Sequence, residues 1–278
     1  MRQLLIGTLS LIGLLSPLQV VNAAVQEIGS CYTMVKVDDV TPPPLKRELF
    51  VLIDQTVNFD QAIQGLVNQK IQKFLRPSDR IVMVSFSAYA KGRYSQFVFD
   101  GRIDANLTEQ VRYRVPKIIL GRLDACIQQQ EQAVRGLIVE NLRTVFQDSS
   151  SKLPRTELVG NLAMLSQQLK TSTKTSERFL LIVSDMLEHS GITSFYTRGK
   201  IRHIDPETEL KKIQNAGMIS AFDDTSVYII GAGYTGKKAY RSAVVMKTIE
   251  GFWRQYFEIS GARVREFGTP ILFSEIGS

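Results

Sequence analysis

The sequence predicts an α/β fold: a doubly wound, mostly parallel central sheet with one antiparallel edge strand and helices on both faces. Three observations carry this. Leu49-Phe50-Val51-Leu52-Ile53 is a continuous apolar run that ends in Asp54, the pattern of a strand buried on both faces of a parallel sheet. Phe179-Leu180-Leu181-Ile182-Val183 repeats the pattern and runs through Ser184 into Asp185. Around these runs, segments of helical periodicity alternate with further short apolar runs, as βαβ units require.

Taken in order, the chain opens with Met1-Arg2, an apolar stretch from Leu4 to Leu15, and Val21-Asn22-Ala23. Residues 1–23 therefore read as a secretory signal peptide cut after Ala23. The stretch is too short for a comfortable membrane span. No other apolar run nears that length, so the mature chain is expected to lack a membrane span and to be periplasmic or secreted. Residues 24–47 read as a lead-in segment, stiffened by Thr41-Pro42-Pro43-Pro44. Residues 48–278 form a single domain, with enough chain to bury a full core.

The first strand covers 48–54. A helix follows over 59–75, with Ile63, Leu66, Val67, Ile71 and Phe74 at helical spacing and Pro77 ending it. Ile81 to Phe86 is a second buried strand. Tyr94 to Phe99 alternates and then turns at Asp100-Gly101, as an edge strand does. Thr108 to Phe146 is helical, with a break at Pro116 and a bend at Gly121. Gln128-Gln129-Gln130 within it reads as a solvated face. Ser149 to Pro154 is a loop by composition. A helix over 156–169 leads to the strand ending at Asp185, and a loop holding Gly191, Gly199 and His203 leads to a short helix over 207–215. Val227 to Ile230 is a strand, Ala239 to Ile259 a helix, and Arg263 to Phe267 a last strand.

Lys and Arg number 34 against 27 Asp and Glu, a net charge of +7. The basic residues are scattered, and the densest run, Lys237-Lys238 to Arg241, is short. The reading is no nucleic acid, with a lean toward acidic partners or anionic membrane surfaces. The two cysteines, Cys31 and Cys126, permit one disulfide in an exported protein. It would pin the lead-in to a helix, but spacing alone does not place the two side chains together.

In an open α/β sheet, ligands sit outside the carboxyl ends of the strands. Asp54, Thr56 and Asn58 fall there at alternate positions, Asp185 ends a second strand, and Thr156 opens a helix between them. All carry oxygen donors, which suit a hard cation such as Mg²⁺. At these residues the chain resembles the von Willebrand factor A (vWA) family, over about 48–268. That family carries a metal-ion-dependent adhesion site: Asp-x-Ser-x-Ser after the first strand, a Thr on a middle loop and an Asp after the fourth strand. Asp54-Gln55-Thr56-Val57-Asn58 looks like the first piece, Thr156 the second and Asp185 the third. The resemblance implies a vWA/Rossmann-like fold, a bound Mg²⁺ or Mn²⁺, and a protein partner that completes the coordination with a carboxylate. Three departures weaken the site: Asn58 replaces a Ser, Met186 stands where the family usually has Gly, and the loop around Thr156 lacks the family's glycines.

Other motifs weigh less. Gly231-Ala232-Gly233-Tyr234-Thr235-Gly236-Lys237 has the spacing of a phosphate cradle. However, Lys238 replaces the hydroxyl residue of a P-loop, and no nucleotide is expected. Asp223-Asp224 reads as a turn, and His189 and His203 as exposed loop residues. Asp54-Gln55-Thr56 lacks the second Asp of a haloacid-dehalogenase phosphatase. The expected function is therefore exported, non-enzymatic protein recognition. The alternatives are a structural subunit of an envelope secretion or conjugation assembly with a dead metal site, and a metal-assisted hydrolase for which only Glu157 or Glu188 could serve as base.

Overall fold

β1 (Arg47–Asp54) is buried at every position because its two faces feed two separate cores. A computed structural model describes residues 28–37, 40–90, 93–150, 156–171, 175–235 and 242–278. The predicted signal peptide, the 151–155 part of the predicted loop and the 237–241 basic run lie outside the described residues. β1 is the hub of a six-stranded sheet ordered β3-β2-β1-β4-β7-β8. The other strands are β2 (Asp79–Ala90), β3 (Arg93–Arg102), β4 (Glu177–Val183), β7 (Ser226–Ile230) and β8 (Arg263–Phe267). All neighbours are parallel except β2 and β3, as the hairpin between those two requires.

Alternation along β1 divides the hydrophobic surface. Leu49, Val51 and Ile53 join one core, together with Ile63, Val67 and Ile71 of α2 (Gln61–Phe74) and Leu123, Ile127 and Val134 of α4 (Lys117–Gln147). Phe50 and Leu52 join the other, with Leu158 and Leu162 of α5 (Leu158–Thr171) and Leu210 of α6 (Pro206–Asn215). The same core takes Phe252, Trp253, Tyr256 and Phe257 of α7 (Ala243–Ile259). Asp60 caps α2, its carboxylate accepting from the Ile63 amide at 3.0 Å, and Ser242 caps α7 in the same way. At the start of β1, the Arg47 guanidinium makes a two-pronged pair with Asp79 (Nε–Oδ1 2.9 Å, Nη2–Oδ2 2.5 Å), both side chains buried.

Several elements differ from the sequence reading. The predicted lead-in holds a short helix, α1 (Cys31–Val35), and Cys31 and Tyr32 belong to the first core. Cys31 is joined to Cys126 of α4 in a disulfide, with Cα atoms 5.7 Å apart. β3 does not turn at Asp100-Gly101; it stays paired to Arg102, opposite Arg80. The Pro116 break separates α3 (Glu109–Arg112) from α4, which continues as one helix through Gly121. Gln130 is not solvated. It is buried, accepting from the Asp104 amide at 2.7 Å and donating to the Gly29 carbonyl at 2.9 Å. The loop before α6 contains a small hairpin, β5 (Tyr196–Thr197) and β6 (Lys200–Ile201). Arg198 and Gly199, at its tip, both have positive φ (48° and 74°), as a two-residue hairpin turn demands.

Candidate functional site

The chain runs outward from β1 to β2 and β3, then returns to place β4 on the other side of β1. Such a reversal, here at the carboxyl ends of β1 and β4, is where sheets of this kind form a crevice for ligands. Asp54 is the last residue of β1, and Asp185 follows the end of β4 by two.

Asp54 is fully buried. Its Oδ1 accepts from the Thr56 amide (2.9 Å) and the Thr56 hydroxyl (2.6 Å). Its Oδ2 accepts from the Ser184 hydroxyl (2.7 Å). Thr56 Oγ1 also lies 2.7 Å from Thr156 Oγ1. Burial pushes the Asp54 carboxyl up to about 6, against the pull of these hydrogen bonds. No cationic side chain pairs with it among the described residues. Asp185 is buried at the same rim, its Oδ1 accepting from the Leu187 amide at 3.0 Å. Four of the five predicted residues thus fall at one crevice, with Asp54, Thr56 and Thr156 linked directly by hydrogen bonds. Asn58 does not join them. It is exposed, because the chain turns after Thr56 toward the capping Asp60.

Ser184 is a member that sequence reasoning missed. Its hydroxyl bonds Asp54 and accepts from the Met186 amide at 3.0 Å. The signal was its place directly before Asp185, obscured because it reads as the end of an apolar strand. Met186 adopts the left-handed conformation (φ 61°) that makes glycine the easier residue there. Its burial and the bond from Trp253 Nε1 to its carbonyl (2.9 Å) hold it in place. His189 is half-buried rather than exposed. Its Nδ1 lies 2.8 Å from the Ser194 hydroxyl, and its amide donates to the Thr156 carbonyl at 2.8 Å. His203 is exposed as read, and Asp223 and Asp224 form a turn with positive φ at both.

The glycine loop after β7 has no amide left for a phosphate over residues 231–234. Gly231, Ala232, Gly233 and Tyr234 donate to Pro270, Gly268, Asp185 and Gly231 carbonyls respectively. The loop is instead a wall of the crevice. Gly231 has φ 95°, and a Cβ there would stand 2.5 Å from the Phe59 ring and 3.2 Å from the Ser184 carbonyl. Gly231→Ala is expected to destabilise the fold by about 3 kcal/mol in urea titration, combining left-handed strain with overpacking. Gly136→Ala, on α4 with open space around it, is the control and should be neutral or slightly stabilising.

A cavity of about 900 Å³ lies elsewhere, at the amino ends of β4, β7 and β8, and none of the predicted site residues lines it.

No protein-family model matches the chain, and no curated protein matches it. Among solved structures it is similar to an aerotolerance-related membrane protein from Bacteroides fragilis, at 11% identity over 80% of this chain and 92% of that one, TM-score 0.33. It is also similar to the pilus adhesin SpaC from Lactobacillus rhamnosus GG, at 12% identity over 78% of this chain, TM-score 0.40. A third is the type V pili tip protein Mfa5 from Porphyromonas gingivalis, at 14% identity over 52% of this chain, TM-score 0.30. The chain spans 28% and 20% of the lengths of those two pilus chains. Likeness at this level carries no argument about what the chain does.

Proposed function

We propose that the chain is an exported vWA-like domain that recognises a protein partner at the carboxyl ends of β1 and β4 and performs no chemistry of its own. The observation that carries this is the joining of Asp54, Thr56, Thr156 and Ser184 at the switch point, with Asp185 on the same rim. The donor set fits a magnesium ion. It is all oxygen, mixing two carboxylates with neutral hydroxyls, and the buried Asp54 charge lacks a cationic partner that a divalent ion would supply. Asp54, Thr56, Thr156, Ser184 and Asp185 would hold Mg²⁺ or Mn²⁺. Bound there, the ion offers a partner's carboxylate a ligand position. Asn58 takes no part.

Catalysis is the weaker reading because Glu188, one of the two candidate bases, is already engaged. Glu188 is buried with its Oε2 on the Val159 amide at 3.1 Å, engaged with the start of α5. A dead site in an envelope assembly is favoured by one observation: both Asp54 oxygens already accept hydrogen bonds from the chain.

Calorimetric titration of the exported chain with Mg²⁺ and with Mn²⁺ decides between recognition through a metal and scaffolding. Saturable binding that disappears in Asp54→Asn and Asp54→Ala is the expected result. Absence of binding in the unsubstituted chain retires the metal, and the assembly reading then leads.

A further inference from the structure

The corner between α3 and α4 carries an exposed apolar tip set among unpaired cations. Tyr113 is 91% exposed and Ile118 is 71% exposed. They flank Pro116, which stops α3 from running into α4. The corner is stiff. Val115 is buried beneath it, and the amides of Tyr113, Arg114, Val115 and Leu120 are bonded to the Glu109, Val111, Arg112 and Pro116 carbonyls. The backbone thus holds both side chains out toward solvent.

The charge around the tip is predominantly positive. Arg114, Lys117, Arg122 and Lys36 are exposed and form no ion pair among the described residues. The nearby Asp124 is already neutralised by Arg112, at 2.6 Å. Glu109 is the remaining exposed acid of α3, while Asp38 and Asp39 lie outside the described residues. Beside the tip, a groove of about 650 Å³ runs between α1 and the corner, lined by Val37, Val40, Val111 and Ile119 with Lys36 and Arg114 at its rim.

The position of the corner adds to this. α3 follows β3, whose last residue Arg102 pairs with Arg80 at the amino end of β2. α4 starts at the corner and ends beside the crevice, where the Ser150 amide, just past the helix, donates to the Gln55 carbonyl at 2.8 Å. Its 31 residues span about 45 Å. The tip and the Asp54 crevice therefore occupy opposite ends of the domain.

We propose that this corner docks the domain on an anionic lipid surface. Tyr113 and Ile118 enter the boundary between headgroups and acyl chains, where amphipathic and apolar side chains partition. Arg114, Lys117, Arg122 and Lys36 face the lipid phosphates. A protein partner is less well matched, because hot-spot side chains sit in well-packed pockets, whereas Tyr113 and Ile118 stand out from the surface beside the groove rather than in it. Docked in this way, the domain presents its recognition end away from the membrane.

The test is co-sedimentation of the exported chain with vesicles of phosphatidylcholine alone and with one-third phosphatidylglycerol. Binding is expected only to the anionic vesicles, with release as salt is raised. Tyr113→Ser with Ile118→Ser should weaken it about tenfold or more, and Arg114→Glu with Lys117→Glu should abolish it. Arg143→Glu with Lys200→Glu makes the same charge change at exposed sites away from the corner and should leave most binding intact. All three pairs are exposed, so melting temperatures should match the unsubstituted chain. The proposal is overturned by absent binding, by equal binding to both vesicle types, or by an equal loss in the control pair. It is also overturned if the tip substitutions break up a self-associated form in sedimentation velocity without changing vesicle binding.

Discussion

Replacing both Cys31 and Cys126 with serine is expected to lower stability by about 4–5 kcal/mol and the melting temperature by about 10–15 °C. The bridge closes a separation of 95 residues. Chain-entropy arguments give loops of this size close to the largest stabilisation a single disulfide supplies. Local packing adds a second contribution. α1 has five residues, too few to persist by its own hydrogen bonds, and it rests on groups that the bridge aligns. Asp104 Oδ2 accepts from the Cys31 amide (2.6 Å) and the Ser30 hydroxyl (3.0 Å), and Tyr32 donates its hydroxyl proton to the Ala105 carbonyl at 2.6 Å. Without the bridge α1 should fray first, and hydrogen exchange should report it at Met34 and Val37, whose amides donate to the Ser30 and Tyr32 carbonyls. Scanning calorimetry of the double serine variant, beside the unsubstituted chain with and without reductant, is the check. Coincident melts would show that the bridge contributes nothing.

A second large effect concerns pH. Glu188 is completely buried, and burial pushes its carboxyl from the usual 4.5 up to about 8, overcoming the Ser190 hydroxyl and the Val159 and Leu158 amides that pull it down. The sign follows from proton counting. Below about pH 4.5 the group is protonated in both folded and unfolded chains, and stability is unaffected. Between 4.5 and 8 the unfolded chain has released a proton that the folded chain retains, so stability falls with rising pH. The total loss is about 5 kcal/mol, complete above pH 8. Glu188→Gln removes the titration. The variant should match the unsubstituted chain near pH 4.5 and exceed it by several kcal/mol at pH 8. Urea midpoints collected across this range would test the prediction, and parallel pH curves for the two proteins would sink it.

The parts of the fold that were legible are those where one pattern dominates. Leu49 to Ile53 and Phe179 to Val183 are apolar at every position because both faces are covered, and each run ends within two residues of a site carboxylate. The last strand, 263–267, appears at the same residues in sequence and structure. What stayed hidden depends on distant partners. α1 exists through Cys126 and Asp104, both far along the chain. The turn of β5 and β6 places Arg198, not Asn or Gly, at a left-handed position, so the usual hairpin signal is missing. Gln130 looks like one of three polar neighbours until Asp104 and Gly29 are seen on either side of it. At the strand ends, residue types pointed to Asp54, Thr56, Thr156 and Asp185, of which the first three are joined by hydrogen bonds. They also drew in Asn58, because even spacing along a sequence keeps a residue on the same side only while the chain stays extended. Here it bends after Thr56 to enter α2.

The Arg47–Asp79 clamp bears on the crevice although it lies at the far end of β1. Seven residue steps separate Arg47 from Asp54, a span of about 23 Å. Eight consecutive pairings carry β1 along β2 from Arg47 opposite Asp79 to Asp54 opposite Phe86. β1 therefore behaves as a ruler pinned at its zero mark. A slide by one residue would exchange the two sets of apolar side chains between the cores and withdraw Asp54 from Ser184 and Thr56 from Thr156. The accuracy of the oxygen cluster is thus set partly by a guanidinium that never approaches it.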